Sequence, residues 1–171
     1  MEFALVSVPL LMLVFGILEL GLVLMVVTTL DGATQAASRT IRTGEFQSGA
    51  ATTAQDFKNL VCSKMTWLGA QCQSQLFIDV QTFSSFSGLA NPPPIPASVY
   101  DPLHPTPPCF SPGQPSDIVL VRTSFRWRLF TPLLNGALEN MGKGSGFRLI
   151  TSATAFRDEP FNSNAPVGQK C

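Results

Sequence analysis

The N-terminal part of the chain has no basic residues, because no lysine or arginine precedes Arg39. A secretory signal peptide has a basic first region, a short apolar core and a small-residue cleavage site. Here the apolar run is too long for that core, and the segment Ala33-Thr34-Gln35-Ala36 lacks the A-x-A spacing. These mismatches favour a segment that stays on the protein over one that is cleaved.

Residues that carry chemistry are also scarce. His104 is the single histidine, and it has no partner at metal-ligand spacing. The cysteines lack the C-x-x-C spacing of redox and zinc motifs. The segment at 141–146, MGKGSG, misses the spacing of a phosphate-binding loop, and we interpret it as a turn. We therefore expect no enzyme, with no catalytic residues, no cofactor and no metal.

An excess of either charge is absent. The chain has 11 basic and 11 acidic residues, and only 13% of its residues are charged. Without a global positive field, nothing points to nucleic acid as a partner. Arg122, Arg126 and Arg128 alternate along one strand pattern, and we interpret them as a solvated strand face in preference to a site for an acidic partner.

A long apolar run is what the sequence does have. Phe3 to Leu30 would extend roughly 40 Å as a helix, at about 1.5 Å per residue. This exceeds the roughly 30 Å hydrocarbon core of a bilayer. The run predicts a stem over 1–45, with a membrane span at about 3–30, and a soluble head over 46–171.

Two carboxylates interrupt the run. Glu19 lies deep in it, where an unpaired charge costs about 2.5–3.5 kcal/mol, so it should be paired or face protein. Gly16 and Gly21 are small neighbours that permit close helix approach. These residues predict a stem-packing surface. Glu2 suits the positive end of the helix dipole, and a headgroup-level cap and an assembly role both stay open for it.

The head has the patterns of an α+β fold. A helix is predicted over 53–68, with Thr53 and Asp56 as its capping pair. Alternation predicts strands at 75–83, 117–130 and 147–157, with a short helix at 132–141. In the third strand Phe147, Leu149, Ala153 and Ala155 share one side. We expect a small antiparallel sheet of about three strands with helices on one face.

Ten of the 14 prolines fall within 92–115. Proline has no backbone donor for a sheet, so this segment is predicted to be an extended surface loop. We interpret it as a structural or partner-facing loop in preference to a PxxP ligand.

The stem resembles a known signature. Residues 2–6 (EFALV), 9–11 (PLL) and 16–21 (GILELG) are similar to the N-terminus of the TadE-like minor pilins, pseudopilins of the tight-adherence (Tad, type IVc) pilus machinery. Residues 117–122 (DIVLVR), Trp127 and 151–160 (TSATAFRDEP) resemble that family's closing strands.

The resemblance implies a function in pilus assembly, in which the stem packs with other pilins to start, prime or cap the fibre. The implied partners are other minor pilins, the major pilin, the inner-membrane assembly platform, a prepilin peptidase and membrane lipid. The peptidase would cut a basic leader ending in glycine upstream of Glu2. A single-pass binding domain unrelated to pili is the alternative.

The resemblance also implies a location. It places the stem in the bacterial inner membrane and the head in the periplasm. After assembly the protein would be part of the extracellular pilus, which implies a function in adhesion. Arg39 and Arg42 alone would put the head in the cytoplasm, but the four cysteines favour an exported head. Four cysteines permit three pairings. The short loop around Gly69 favours Cys62–Cys72, which leaves Cys109–Cys171.

Overall fold

The computed structural model describes residues 2–49, 52–100, 109–131 and 134–161. The helices in these ranges are α1 (Glu2–Arg42), α2 (Glu45–Ser48), α3 (Ala54–Lys64), α4 (Gly69–Gln75) and α5 (Asn135–Leu138). The strands are β1 (Leu76–Phe83), β2 (Ile118–Arg128) and β3 (Phe147–Arg157). Short 3-10 turns lie at Thr66–Leu68, Phe86–Ala90 and Ala97–Tyr100.

The three strands form one antiparallel sheet with β2 in the centre. Phe125 of β2 lies opposite Leu76 of β1 on one side and Ile150 of β3 on the other. Directly opposed residues share a face of the sheet, and these three are buried in the core. The predicted α+β fold with a long N-terminal helix and a three-stranded antiparallel sheet is confirmed.

Helix α1 supplies the other side of the core. Its buried apolar residues recur every three or four positions, as a helix needs to keep one face on a partner; they are Val23, Val26, Leu30, Ala33, Ala37 and Ile41. Thr34 of α1 also shares a hydrogen bond of 2.6 Å with Thr123 of β2. Because both hydroxyls are buried, this bond fixes how the helix sits on the sheet.

Helix α3 begins as predicted and ends earlier. Thr53 and Asp56 form a reciprocal capping box, with Thr53 N–H donating to Asp56 Oδ2 at 3.0 Å. The predicted helix over 53–68 stops at Lys64 because Met65 leaves the helical conformation (φ −89°, ψ 51°). The chain then turns back through α4, so that Cys62 and Cys72 come within 5.6 Å at Cα and form the predicted disulfide. The predicted Cys109–Cys171 pair falls on Cys171, outside the described residues.

The outer face of the sheet is partly covered, which corrects the predicted solvated arginine face at Arg122, whereas Arg128 is exposed. Arg122 is paired with buried Asp79 at 2.7 Å and donates to the carbonyl of Pro93, also at 2.7 Å. Tyr100 shares a hydrogen bond with Ser124. The proline-rich segment therefore packs across β2, and its part 97–100 is a 3-10 turn; positions 101–108 lie outside the described residues.

The face of β3 toward the core is opposite to the one carrying its alanines. Ile150 and Ser152 are buried, whereas Ala153 and Ala155 are exposed. The register explains this, because Ile150 and Ser152 lie opposite Phe125 and Thr123 on the core face of β2. Alternation defines two faces but not which of them is buried, and here the face that α1 covers carries Ile150 and Ser152.

The segment after β3 binds the C-terminal end of α1. Glu159 N–H donates to the carbonyl of Arg42 at 2.9 Å, and the two side chains form an ion pair at 3.1 Å. Gly44 adopts φ +75°, and the ring of Phe161 lies where a Cβ at that position would be. A side chain at 44 would therefore be strained and would also clash.

The predicted helix at 132–141 is shorter in the structure. Helix α5 spans Asn135–Leu138, and positions 132–133 lie outside the described residues. The glycine-rich segment that follows is a turn, as predicted. The carboxylate of Glu139 accepts hydrogen bonds from the N–H groups of Gly144 (2.7 Å) and Gly146 (3.0 Å).

Asp158 carries a buried carboxylate beside this closing segment. It is 3% exposed, and among the described residues neither oxygen has a hydrogen-bond partner. Burial raises the pKa of Asp158 to about 8, and the negative charge of nearby Asp117 adds to the effect. Between pH 3.8 and about 8 the folded chain thus retains a proton that the unfolded chain has lost.

We expect this carboxyl to make the folded state less stable as pH rises toward 8, with a slope of at most about 1.4 kcal/mol per pH unit. Asp158→Asn should remove that slope, because the amide does not titrate. Urea unfolding in detergent, followed by tryptophan fluorescence, measures it. Glu45→Gln, which removes an exposed carboxylate, is the matched control, and an unchanged slope in Asp158→Asn would contradict the assignment.

Candidate assembly surface on the stem helix

Helix α1 is divided into a bare half and a covered half. The helical segment from Val6 to Arg42 is long and apolar enough to cross a membrane. Only 17% of its most apolar 18-residue window is buried within the protein. A core helix of a soluble protein would be mostly buried, although a signal sequence passes the same test of length and composition. Large apolar side chains are exposed from Phe3 to Met25, while the buried seam on the head begins at Glu19.

Glu19 marks the point where the head first holds the stem. Its carboxylate is 2% exposed, and its Oε2 atom accepts three hydrogen bonds. The donors are the N–H of Phe130 (3.0 Å), the N–H of Thr131 (3.1 Å) and the Thr131 hydroxyl (3.0 Å). The other oxygen, Oε1, is buried without a hydrogen-bond partner in the described ranges. Glu19 therefore binds the loop that follows β2 of its own chain.

The two predicted packing glycines differ in what they face. A Cβ at Gly16 would lie 3.2 Å from Leu134, so this glycine permits the approach of the chain at α5. A Cβ at Gly21 would meet nothing within 4 Å. Gly21 is thus the one of the pair that is open to the surroundings of the protein.

An apolar groove of about 450 Å³ lies beside Gly16. Its walls are the stem and the chain at α5, and its lining is Met12, Leu13, Gly16, Ile17, Leu20, Leu134, Ala137 and Leu138. None of these side chains is polar. The groove therefore suits hydrocarbon and has no group that would orient a polar ligand.

Aromatic rings lie beside the covered half of the stem. Trp127 makes T-shaped ring contacts with Trp67 (centroids 6.3 Å apart) and with Phe130 (5.5 Å). The indole N–H of Trp67 donates to the hydroxyl of Thr29 at 3.1 Å. The cluster thus extends from the level of Glu19, where Phe130 is bound, to the level of Thr29.

The stem also matches a known family model. Residues 1–39 match the model of the TadE-like proteins. The first 39 residues are therefore similar to the N-terminal segment of TadE-like proteins. The match ends within α1 and covers less than a quarter of the 171 residues, so it identifies the stem and leaves the head unassigned. Neither a curated protein nor a solved structure matches the chain.

The structure places the predicted site residues of the TadE-like stem separately. Gly16 and Glu19 are engaged by the head, Gly21 is open, and the side chain of Glu2 lies outside the described part of the structure. Their role in packing against other stems stays a prediction.

Sequence reasoning missed the partners of Glu19. Phe130 and Thr131 are more than a hundred positions from it along the chain. The available signal was the end of the second strand pattern, where backbone N–H groups leave the sheet and need acceptors.

We expect Glu19→Leu to destabilise the folded chain, because the N–H groups of Phe130 and Thr131 lose the acceptor of this part-buried contact. An unmade hydrogen bond of this kind costs about 1–3 kcal/mol. Unfolding in detergent micelles measures the loss, and Thr28→Val, at an exposed hydroxyl of the same helix, is the control.

A double-mutant cycle isolates the contact. Glu19→Leu and Thr131→Val should show a coupling energy of about 0.5–3 kcal/mol, because they remove the acceptor and the hydroxyl donor of one hydrogen bond. Additive effects of the two substitutions would mean that the Thr131 hydroxyl does not bind Glu19.

Proposed function

We propose that the chain is a minor pilin, or pseudopilin, of a Tad-type pilus, and that its role is structural and not enzymatic. The TadE-like stem carries this proposal, since its first half extends beyond the head with exposed apolar side chains. Such a surface needs lipid before assembly and other stems within a fibre. Through it the protein starts, primes or caps the fibre.

The open side of the stem supports packing with other pilins. Around Gly21 the neighbouring large side chains Leu22 and Leu24 are exposed, and a glycine lets two helix backbones approach closely. Because Glu19 is already held by its own head, its charge adds little to this face. We therefore assign the stem-to-stem contact to Gly21 and its exposed neighbours.

The head faces the periplasm in this proposal, and its partners are sister minor pilins, the major pilin and the inner-membrane assembly platform. The Cys62–Cys72 disulfide supports an oxidising compartment. The resemblance of residues 151–160 to the family's last strands also supports a pilin head.

Gly21→Leu is expected to abolish most crosslinking between this stem and other pilin stems, because the added side chain keeps a second helix away. A photo-crosslinking residue at exposed Leu24, in cells that express the whole system, reports the contact. Gly32→Leu is a matched control, since Gly32 has the same open surroundings but lies beyond the apolar run. Equal crosslinking in both variants would remove Gly21 from the interface.

The N-terminus of the protein from native membranes separates the pilin from the plain membrane anchor. We expect mass spectrometry to find a new amine produced by cleavage just upstream of Glu2, as a prepilin peptidase would leave it. An uncut leader, together with no crosslink from Leu24 to any pilin, would leave the single-pass anchored binding domain as the function.

A further inference from the structure

The exposure of side chains along α1 indicates where a bilayer around the stem would end. Apolar side chains are exposed on α1 as far as Met25, and the first exposed polar residues beyond it are Thr28 and, farther on, Gln35. From Phe3 to Met25 the helix rises roughly 33 Å at about 1.5 Å per residue, close to the thickness of a hydrocarbon core. A bilayer that covers this run therefore ends between Met25 and Thr28.

The head already holds the stem below that boundary. Gly16 contacts Leu134, and Glu19 binds Phe130 and Thr131. Six residues separate Glu19 from Met25, which is roughly 9 Å along the helix axis. The lower end of the head thus cannot remain in water while the stem keeps its apolar run in lipid.

The residues at that lower end are suited to lipid. Phe130 is 61% exposed, and the groove beside α5 is lined by apolar side chains that continue the apolar surface of the stem. Hydrophobic residues exposed in a continuous patch mark a surface that contacts another apolar phase.

The residues just above are those of a membrane interface. Trp67 is 42% exposed and donates to Thr29, and tryptophan concentrates where hydrocarbon meets headgroups. Arg128 is exposed, follows Trp127 in β2 and lines one pocket with Phe130. A long basic side chain at this level can extend to the phosphate groups of the lipids.

From this arrangement we infer that the underside of the head is a membrane-docking surface that dips into the outer half of the bilayer. The docking surface consists of Phe130, Leu134, Ala137 and Leu138, with Trp67 and Arg128 at the headgroup level. Its occupant is phospholipid. The inference rests on the proposed membrane stem, and it explains why Glu19 has its donors within its own chain: at this depth water cannot supply them.

Tryptophan fluorescence in brominated lipids tests the depth. The chain is reconstituted in vesicles of phosphatidylcholine and phosphatidylglycerol, with bromine placed either near the headgroup end or near the methyl end of the acyl chains. The two native tryptophans, Trp67 and Trp127, should lose more emission with bromine near the headgroups. Flotation of the vesicles reports separately whether the stem is inserted.

A matched pair of variants places a probe at each end of the head. Phe130 is 61% exposed and Phe86 is 57% exposed, but β1 runs antiparallel to β2, so Phe86 lies beyond Phe83 at the end of the sheet where Ile118 begins β2. Phe130→Trp should raise the quenched fraction of the emission above that of the native chain. Phe86→Trp should lower it, because it adds an emitter that bromine does not reach.

The outcomes distinguish this inference from the function on which it rests. If the chain floats with the vesicles but Phe130→Trp is quenched no more than Phe86→Trp, the docking surface is wrong and the membrane stem stands. If the chain does not float, the membrane stem fails and the docking surface fails with it. Quenching of Phe130→Trp that disappears as protein is added at constant lipid would assign the groove to a second copy, which also overturns the inference.

Discussion

The carboxylate of Glu19, bound by the loop after β2, is the contact on which the arrangement of stem and head depends. It is the single charged residue between Glu2 and Asp31, and it lies where the apolar stem meets the head. A carboxylate needs donors wherever water is excluded. Two backbone N–H groups that have left the sheet need acceptors, so one contact satisfies both requirements. It also fixes how far down the stem the head reaches.

One helix therefore meets two environments along its length. From Val23 to Ile41 a single narrow seam of small and branched residues faces the sheet, while the rest of the surface becomes polar after Met25. Between Val6 and Phe15 the large apolar side chains are exposed. The head of the same chain buries this seam. The exposed apolar half of α1 is stable only in an apolar solvent or against an apolar partner. The fold is thus complete only in a membrane or an assembly.

Much of the head follows from local sequence signals. The strand alternation placed β3 at the residues where it occurs, and Thr53 with Asp56 identified the start of α3. The spacing of Cys62 and Cys72 favoured their disulfide, because a short chain segment keeps their ends close. Each of these signals acts within a dozen residues. What the sequence could not reveal was pairing over distance: the choice of face in β3, the Asp79–Arg122 pair beneath the proline-rich segment, and the donors to Glu19.

The source of the donors to Glu19 could not be predicted from the sequence, for a physical reason that extends to other stems. A buried carboxylate in an apolar run shows that donors exist, but it does not say whether they come from another chain or from the same one. Here the loop after β2 reaches the stem because Gly16 leaves room for Leu134 three residues before the carboxylate. With its charge satisfied internally, the stem presents an uncharged surface around Gly21 to its surroundings. Contacts on such a surface depend on shape, since lipid and neighbouring helices are equally apolar. In the proposed pilin, stem-to-stem specificity then comes from close packing at Gly21 and from the head.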